Sequence, residues 1–400
     1  MLTPQFPWPT HQGTTLRNFN LLKQLAQRHE VHLFSLLDAE DRPDAGPVRQ
    51  LCASVSTAPA PIRTTRARVC DLVSSPLPDM ARRLWSPLAA AQLVDVATAL
   101  RPHVVQIEGI EMAPYLFALQ DAGVAIQHSI YDAHNAETLL QQRAARADAK
   151  RPQRWPAALY SSIQTRKLRS YEQRLARSVS GIAAVSQPDA DFLHDLAPQT
   201  PISVVTNGVD LAHYQPDEDF APVFHSPGPH LVFTGKMDFR PNVDAALWFA
   251  NQVMPHLRAA GVHAHFWVVG RKPHARLHAL AGRNDVTITG EVPDVRPYIV
   301  QSDVYVVPLL AGGGTRFKIL ESLALSKPVV STRLGADGIP VQDGVHLALA
   351  DTPETFAQRV NQLLQDEETA TRMGRAGRVF IQQNFSWDAI APHLEALFSE

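Results

Sequence analysis

The sequence predicts an α/β protein made of two Rossmann-like, doubly wound domains. Three observations carry this. The chain has 400 residues, beyond the ~250–300 at which one hydrophobic core stops growing. Short β-rich runs alternate with stretches of helical period, the pattern of a parallel sheet. That alternation stops once, in a proline- and acid-rich stretch, and then restarts.

The first set of strands begins at Leu2 and Thr3, cut short by Pro4, so the start of the chain reads as truncated. It continues with VHLFSLL from Val31, VVQIE from Val104, GIAAVS from Gly181 and ISVVTNGVD from Ile202. The break is HYQPDEDFAPVFHSPGP, residues 213–229, which has no usable period and is assigned as the interdomain linker. The second set is LVFTG from Leu231, HFWVVG from His265, VTITG from Val286, DVYVVPL from Asp303 and PVVST from Pro328. DAALWFANQVMPHLRAA and ETFAQRVNQLLQD carry apolar residues at three- and four-residue spacing and are expected as helices. The predicted domains are 1–212 and 230–384. Ligands of open α/β sheets bind beyond the carboxyl ends of the strands, so two such domains facing one another would place chemistry in a cleft.

Composition narrows the function. With 45% hydrophobic and 19% charged residues, the chain is globular. A net charge of −2 supplies no overall field for nucleic acid. Two cysteines, Cys52 and Cys70, are too few for a disulfide framework or a four-ligand zinc site and fit a reducing, cytoplasmic location. No apolar run approaches the ~20 residues of a membrane span, and the first residues lack the pattern of a signal peptide.

The densest chemistry lies in VVPLLAGGGTRFKILESLALSKPVVST, from Val306 to Thr332: strand, glycine-rich turn, helix, strand. Gly312, Gly313 and Gly314 let backbone amides approach a ligand, and a helix beginning near Thr315 adds the positive end of its dipole, which suits a diphosphate. Lys318 and Glu321, three apart, share a face, while Phe317, Leu320 and Ala324 are expected to turn toward the sheet. The plainer alternative is an exposed pair worth ~0.2–0.5 kcal/mol beside a flexible loop. In the first half, IYDAHNAE sets Asp132, His134, Asn135 and Glu137 just past a strand end, either as site residues or with Asp132 and Asn135 capping the next helix.

The Val306–Thr332 segment resembles the donor-binding signature of family-4 retaining glycosyltransferases of the GT-B fold, and the resemblance extends over nearly the whole chain. It implies a nucleoside-diphosphate sugar donor and a glycan or lipid-linked acceptor. In that family two glutamates are separated by seven residues, the second holding the ribose. Glu321 matches the second; the first falls on Gly313, which resembles the GGGTR-loop subgroup, where backbone amides take over. The family also opens its second domain with strand, glycine and a basic pair for the pyrophosphate. Here Lys236 follows Gly235, the second position falls near Pro241, and Lys236, Arg240, Arg316 and Lys318 are the candidate phosphate cations. By the same resemblance His134 is the strand-end histidine near the transferred sugar, and Gly13 in QGTTLRN lies in the turn approaching donor and acceptor. TNGVD, from Thr206, is a turn before the hinge, and the last helix, 385–400, crosses back to the first domain.

Lys236, Lys318 and His134 are thus the expected catalytic groups. No Asp-x-Asp pair or His/carboxylate set at metal-ligand spacing accompanies them, so no metal or other cofactor is expected. Retention is what the resemblance implies. Ten basic residues between Arg143 and Arg177 form a patch that either settles on anionic lipid or is a solvated helix face; no nucleic-acid module accompanies it. Two rivals stay open: a sugar-nucleotide epimerase of the same architecture, and a degenerate binding protein.

Overall fold

The computed structural model describes residues 1–399 apart from 11, 39–40, 42–45, 65–70, 72–74, 143–154 and 312–315, with only the backbone of 155–159. It divides into two compact units, Met1–Asn207 with Ile390–Glu400, and Gly208–Ala389. The sequence-assigned linker is therefore part of the second unit. Phe224 stacks on His230 with ring centroids 4.3 Å apart and meets Trp267 at 4.8 Å, and the Val223 amide donates to Gln301 Oε1 at 3.0 Å. Proline and missing period report extended chain there, while Phe224 supplies the apolar surface that docks it.

The first unit holds strands β1 (Leu2–Thr3), β2 (His32–Leu37), β3 (Ser54–Pro59), β4 (Val104–Glu108), β5 (His128–Ala133), β6 (Gly181–Ala184) and β7 (Ile202–Val204). They pair in the order β3-β2-β1-β4-β5-β6-β7, all parallel. Helices cover parallel sheets on both faces, so the central strands are buried throughout. Ile107, Tyr131 and Ile182 are fully enclosed, the two isoleucines each worth roughly 1.5–3 kcal/mol on the apolar-transfer scale. Thr3, Gln106, Glu108 and Asp132 break this rule: polar side chains of β1, β4 and β5, all buried.

The second unit holds β8 (His230–Thr234), β9 (His265–Val269), β10 (Val286–Gly290), β11 (Val304–Val307), β12 (Val329–Ser331) and β13 (Ala348–Leu349). Their order is β10-β9-β8-β11-β12-β13, again all parallel. In each sheet the order reverses at one place, between β1 and β4 and between β8 and β11, and crevices for ligands open at such points. The DAALWFANQVMPHLRAA helix forms as Arg240–Trp248 and Met254–Ala259 joined by a π-turn over Phe249–Val253. Pro255, which lacks an amide proton, sits just beyond that widened turn.

Candidate active site

Two groups of polar residues lie at the carboxyl ends of the strands, one in each unit. In the second unit a cavity of about 270 Å³ opens where β8 and β11 diverge, with Thr234, Gly235 and Lys236 on one side and Leu309 on the other. The helix Phe317–Ala324 closes it, presenting Arg316, Phe317, Lys318 and Glu321 to the cavity. This helix is too short to persist alone, and Ile319, Leu320, Leu323 and Ala324, fully buried on its other face, hold it to the sheet. Phe317, expected to face the sheet, lines the cavity instead, because the helix starts at Phe317 and its first turn points outward.

Lys318 reaches across to β8. Its Nζ donates to the Thr234 carbonyl and to Asn242 Oδ1, both at 2.9 Å, and lies 4.2 Å from the centre of the Phe233 ring. Burial pushes its pKa down to about 7; Glu321 works against this and Arg316 adds to it. Such a cation, held by neutral partners, is short of negative charge. Asn242 is itself fixed by donating to the Lys236 carbonyl at 2.9 Å. Glu321 accepts from the Tyr214 hydroxyl at 2.9 Å. Burial raises its pKa, and the Tyr214 bond and the Lys318 charge oppose the rise. Lys236 is half exposed, 3.4 Å from Asp238. The close approach of β8 and β9 depends on Gly270: a Cβ there would lie 1.8 Å from the Gly235 carbonyl oxygen.

In the first unit β4 and β5 run in register so that Glu108 lies opposite Asp132. His134, one residue past β5, places Nε2 3.1 Å from Glu108 Oε2 and 3.9 Å from Asp132 Oδ2. Arg17, buried on the helix Gly13–Leu25, grips Asp132 with Nε at 2.8 Å and Nη2 at 2.6 Å, and its Nη1 donates to the Thr206 carbonyl at 3.1 Å. Hydrogen bonding assigns the Asn18 amide nitrogen to Glu108 Oε2 at 2.9 Å. Gly109 turns the chain away with φ +82°, where a Cβ would meet the Glu111 carboxylate at 2.8 Å.

The electrostatics follow from burial. Glu108 is pushed up to about 7, first by burial and then by Asp132, with His134 opposing. Burial would raise Asp132 as well, but the Arg17 charge and hydrogen bonds hold it below the usual carboxylate range. Burial would lower His134, yet the Glu108 bond and the Asp132 charge raise it. Glu108 and His134 both stand above their ordinary values, and the two titrate as a pair. Glu108, Asp132 and His134 do offer ligand atoms within 4.8 Å of one another, a set that the sequence spacing concealed. Arg17 already occupies both Asp132 oxygens, and its charge opposes a cation there.

Residues 12–213 match the family described as Glycosyltransferase Family 4, and residues 228–366 match Glycosyl transferases group 1. The chain belongs to glycosyltransferase family 4. Among similar proteins, the lipopolysaccharide core biosynthesis mannosyltransferase LpcC of Rhizobium leguminosarum is 23% identical over 60% of this chain and 70% of its own. The lipopolysaccharide core biosynthesis glycosyltransferase LpsE of Rhizobium meliloti is 29% identical over 58% and 69%. Among solved structures, sucrose-phosphate synthase from Thermosynechococcus elongatus aligns over 100% of this chain and 98% of its own, with TM-score 0.66 and 15% identity. Anabaena HepE in complex with UDP and glucose aligns over 100% and 98% with TM-score 0.61 and 14% identity. These likenesses bear on fold: two parallel-sheet α/β domains of the GT-B type.

In this glycosyltransferase, Gly235, Lys236, Arg316, Lys318 and Glu321 line one cavity. Arg240 does not line it: as the first residue of its helix it pairs with Asp244 one turn on, with Nε 3.2 Å from Oδ2. Gly312, Gly313, Gly314 and Thr315 lie outside the described residues. Gly13 is the first residue of its helix, in the same unit as His134. Of the basic patch, the residues from 143 to 154 lie outside the described residues. Lys167 donates to the Ser75 carbonyl at 2.6 Å, Arg177 to that of Leu196 at 3.2 Å, and Arg174 sits 4.4 Å over Phe117; these cations hold the helix to its neighbours. Among the described residues no helix is long and apolar enough to cross a membrane.

Arg17, Asn18, Glu108, Tyr214, Asn242 and Gly270 were not singled out from the sequence. Only Gly270 carried a signal, as a glycine closing the strand run HFWVVG. The others are ordinary polar residues until the strands align.

Proposed function

We propose that this enzyme transfers a hexose from a nucleoside-diphosphate sugar to a glycan or lipid-linked acceptor, with retention, in the assembly of bacterial lipopolysaccharide or a related polysaccharide. The observation that carries the reading is the β8/β11 cavity, with a partly buried lysine and a partly buried carboxylate on one helix. The pyrophosphate takes Lys318 and Lys236 together with the Gly312–Thr315 amides and the helix N-terminus, and the ribose diol takes Glu321. As the anomeric C–O bond breaks, its electron pair leaves with the diphosphate, where the fixed cations stabilise it. The acceptor hydroxyl oxygen bonds to the anomeric carbon on the face the diphosphate leaves, and its proton passes to the departing phosphate. His134 donates to a hydroxyl of the sugar. The relatives that act in lipopolysaccharide core biosynthesis support the acceptor class. No metal takes part: fixed cations do its work.

Calorimetry with UDP-, GDP-, ADP- and dTDP-sugars in EDTA tests this. One donor should bind in EDTA and lose at least tenfold in affinity in Glu321→Ala. Silence of the whole panel, or binding that appears only with a divalent ion, would refute the proposal.

A further inference from the structure

We infer that Tyr214 is a positioning residue of the donor site, its hydroxyl holding one oxygen of the Glu321 carboxylate so that the other is presented to the donor's ribose. This rests on the assignment of the ribose to Glu321. The Tyr214 hydroxyl lies 2.9 Å from Glu321 Oε1, yet among the described residues Tyr214 is not part of the cavity wall. A carboxylate offers about four lone-pair sites, so one phenol leaves room for a diol, and a donor to an ionised acceptor makes one of the stronger hydrogen bonds.

The contact is imposed by the backbone on both sides. The Tyr214 amide donates to the Asp210 carbonyl at 3.0 Å. The His213 carbonyl accepts from Arg296 Nη1 at 2.8 Å and the Tyr214 carbonyl from Arg378 Nη1 at 3.0 Å. The same Arg378 nitrogen donates to the carbonyl of Ala324, the last residue of the helix that carries Glu321. One guanidinium thus fixes the tyrosine's segment against the carboxylate's helix. Segment 213–229, which reads as a linker, contains the part of the second unit that orients the ribose acceptor.

Around Glu321 the charged and titratable groups are Lys318 and Arg316 near its own helix, Lys236 across the cavity, Tyr305 on β11, and Tyr214 backed by Asp294 and Arg296. Tyr214 favours the ionised carboxylate against burial. Without the hydroxyl, Glu321 keeps its proton to higher pH, so donor binding should weaken most on the acid side.

The test measures Kd for ADP, GDP, UDP and dTDP by calorimetry between pH 5.5 and 8.5, for the full chain, Tyr214→Phe, Glu321→Gln and the double variant. Tyr214→Phe should weaken the preferred nucleotide about 10–100-fold at the acid end and less at the alkaline end, the loss of one hydrogen bond to a charge. Glu321→Gln should remove the acid-side dependence, and the double variant should bind like Glu321→Gln alone. A merely structural tyrosine would weaken binding equally at every pH and additively with Glu321→Gln; either result overturns the inference. If Glu321→Gln binds as the unmodified chain does, the ribose assignment falls and this inference with it. If Glu321→Gln loses affinity while Tyr214→Phe does not, only the role of Tyr214 falls.

Discussion

Replacing Arg17 by methionine separates the buried ion pair from everything else in the first unit. Arg17 and Asp132 are 2% and 0% exposed and joined by two hydrogen bonds of 2.6 and 2.8 Å. Methionine roughly fills the stem's volume but leaves Asp132 without its partner. Breaking one side of a buried pair costs about 3–5 kcal/mol, and in a unit of this size each kcal/mol lowers Tm by roughly 2–4 °C, so Tm should fall by ~6–20 °C. The pH dependence carries a sign. Arg17 depresses the folded-state pKa of Asp132, so the pair's stabilisation is full above the unfolded value of ~3.9 and is lost as pH falls through the folded one. In Arg17→Met the Asp132 pKa rises instead, and the carboxyl can neutralise itself by taking up a proton. The gap between variant and original should therefore be widest near pH 8 and narrow toward pH 5. Adding Asp132→Asn should recover much of the loss, since no charge is then left stranded. Hydrogen exchange of amides in β4 and β5 reads the stability of this unit directly. A loss below about 1 kcal/mol, or no recovery with Asp132→Asn, would show that the pair does not hold the strand ends together.

Lys318, with its pKa near 7, should lose its charge as pH rises above neutrality, so nucleoside-diphosphate affinity should fall between pH 6.5 and 9. Lys318→Met should bind weakly and show no such slope in calorimetry. Glu108→Gln removes the carboxylate whose hydrogen bond raises His134 against burial, so the histidine titration followed by NMR should move to lower pH; an unmoved titration would sink the coupling. Gly270→Ala puts a methyl 1.8 Å from the Gly235 carbonyl oxygen, a backbone clash that cannot relax by a rotamer change. It should lower Tm by several degrees and abolish donor binding, both measurable on the purified protein.

Alternation of apolar runs with helical stretches was enough to predict two parallel-sheet units, because parallel strands buried on both faces must be apolar and crossover helices amphipathic. The shared face of Lys318 and Glu321 was legible for a local reason: helical spacing puts residues three apart on one face whatever lies around them. Arg240 could not be placed that way, since its direction depends on its being the first residue of a helix, one turn before Asp244. The linker from 213 to 229 was misassigned because docking by Phe224 and Tyr214 is made through single side chains, which leave no period in a sequence. The cluster of Arg17, Glu108, Asp132 and His134 was invisible for a deeper reason. Its members come from one helix and two strands up to 117 positions apart in the chain, and nothing in their local sequence distinguishes a buried Glu108 from an exposed one. By itself the sequence determined which segments are strands and helices and which helix lines the cavity of the second unit. Only the tertiary structure decided which polar side chains share an enclosure, and so which charges stand against desolvation, because burial and pairing depend on the register of β4 against β5 and of β8 against β11.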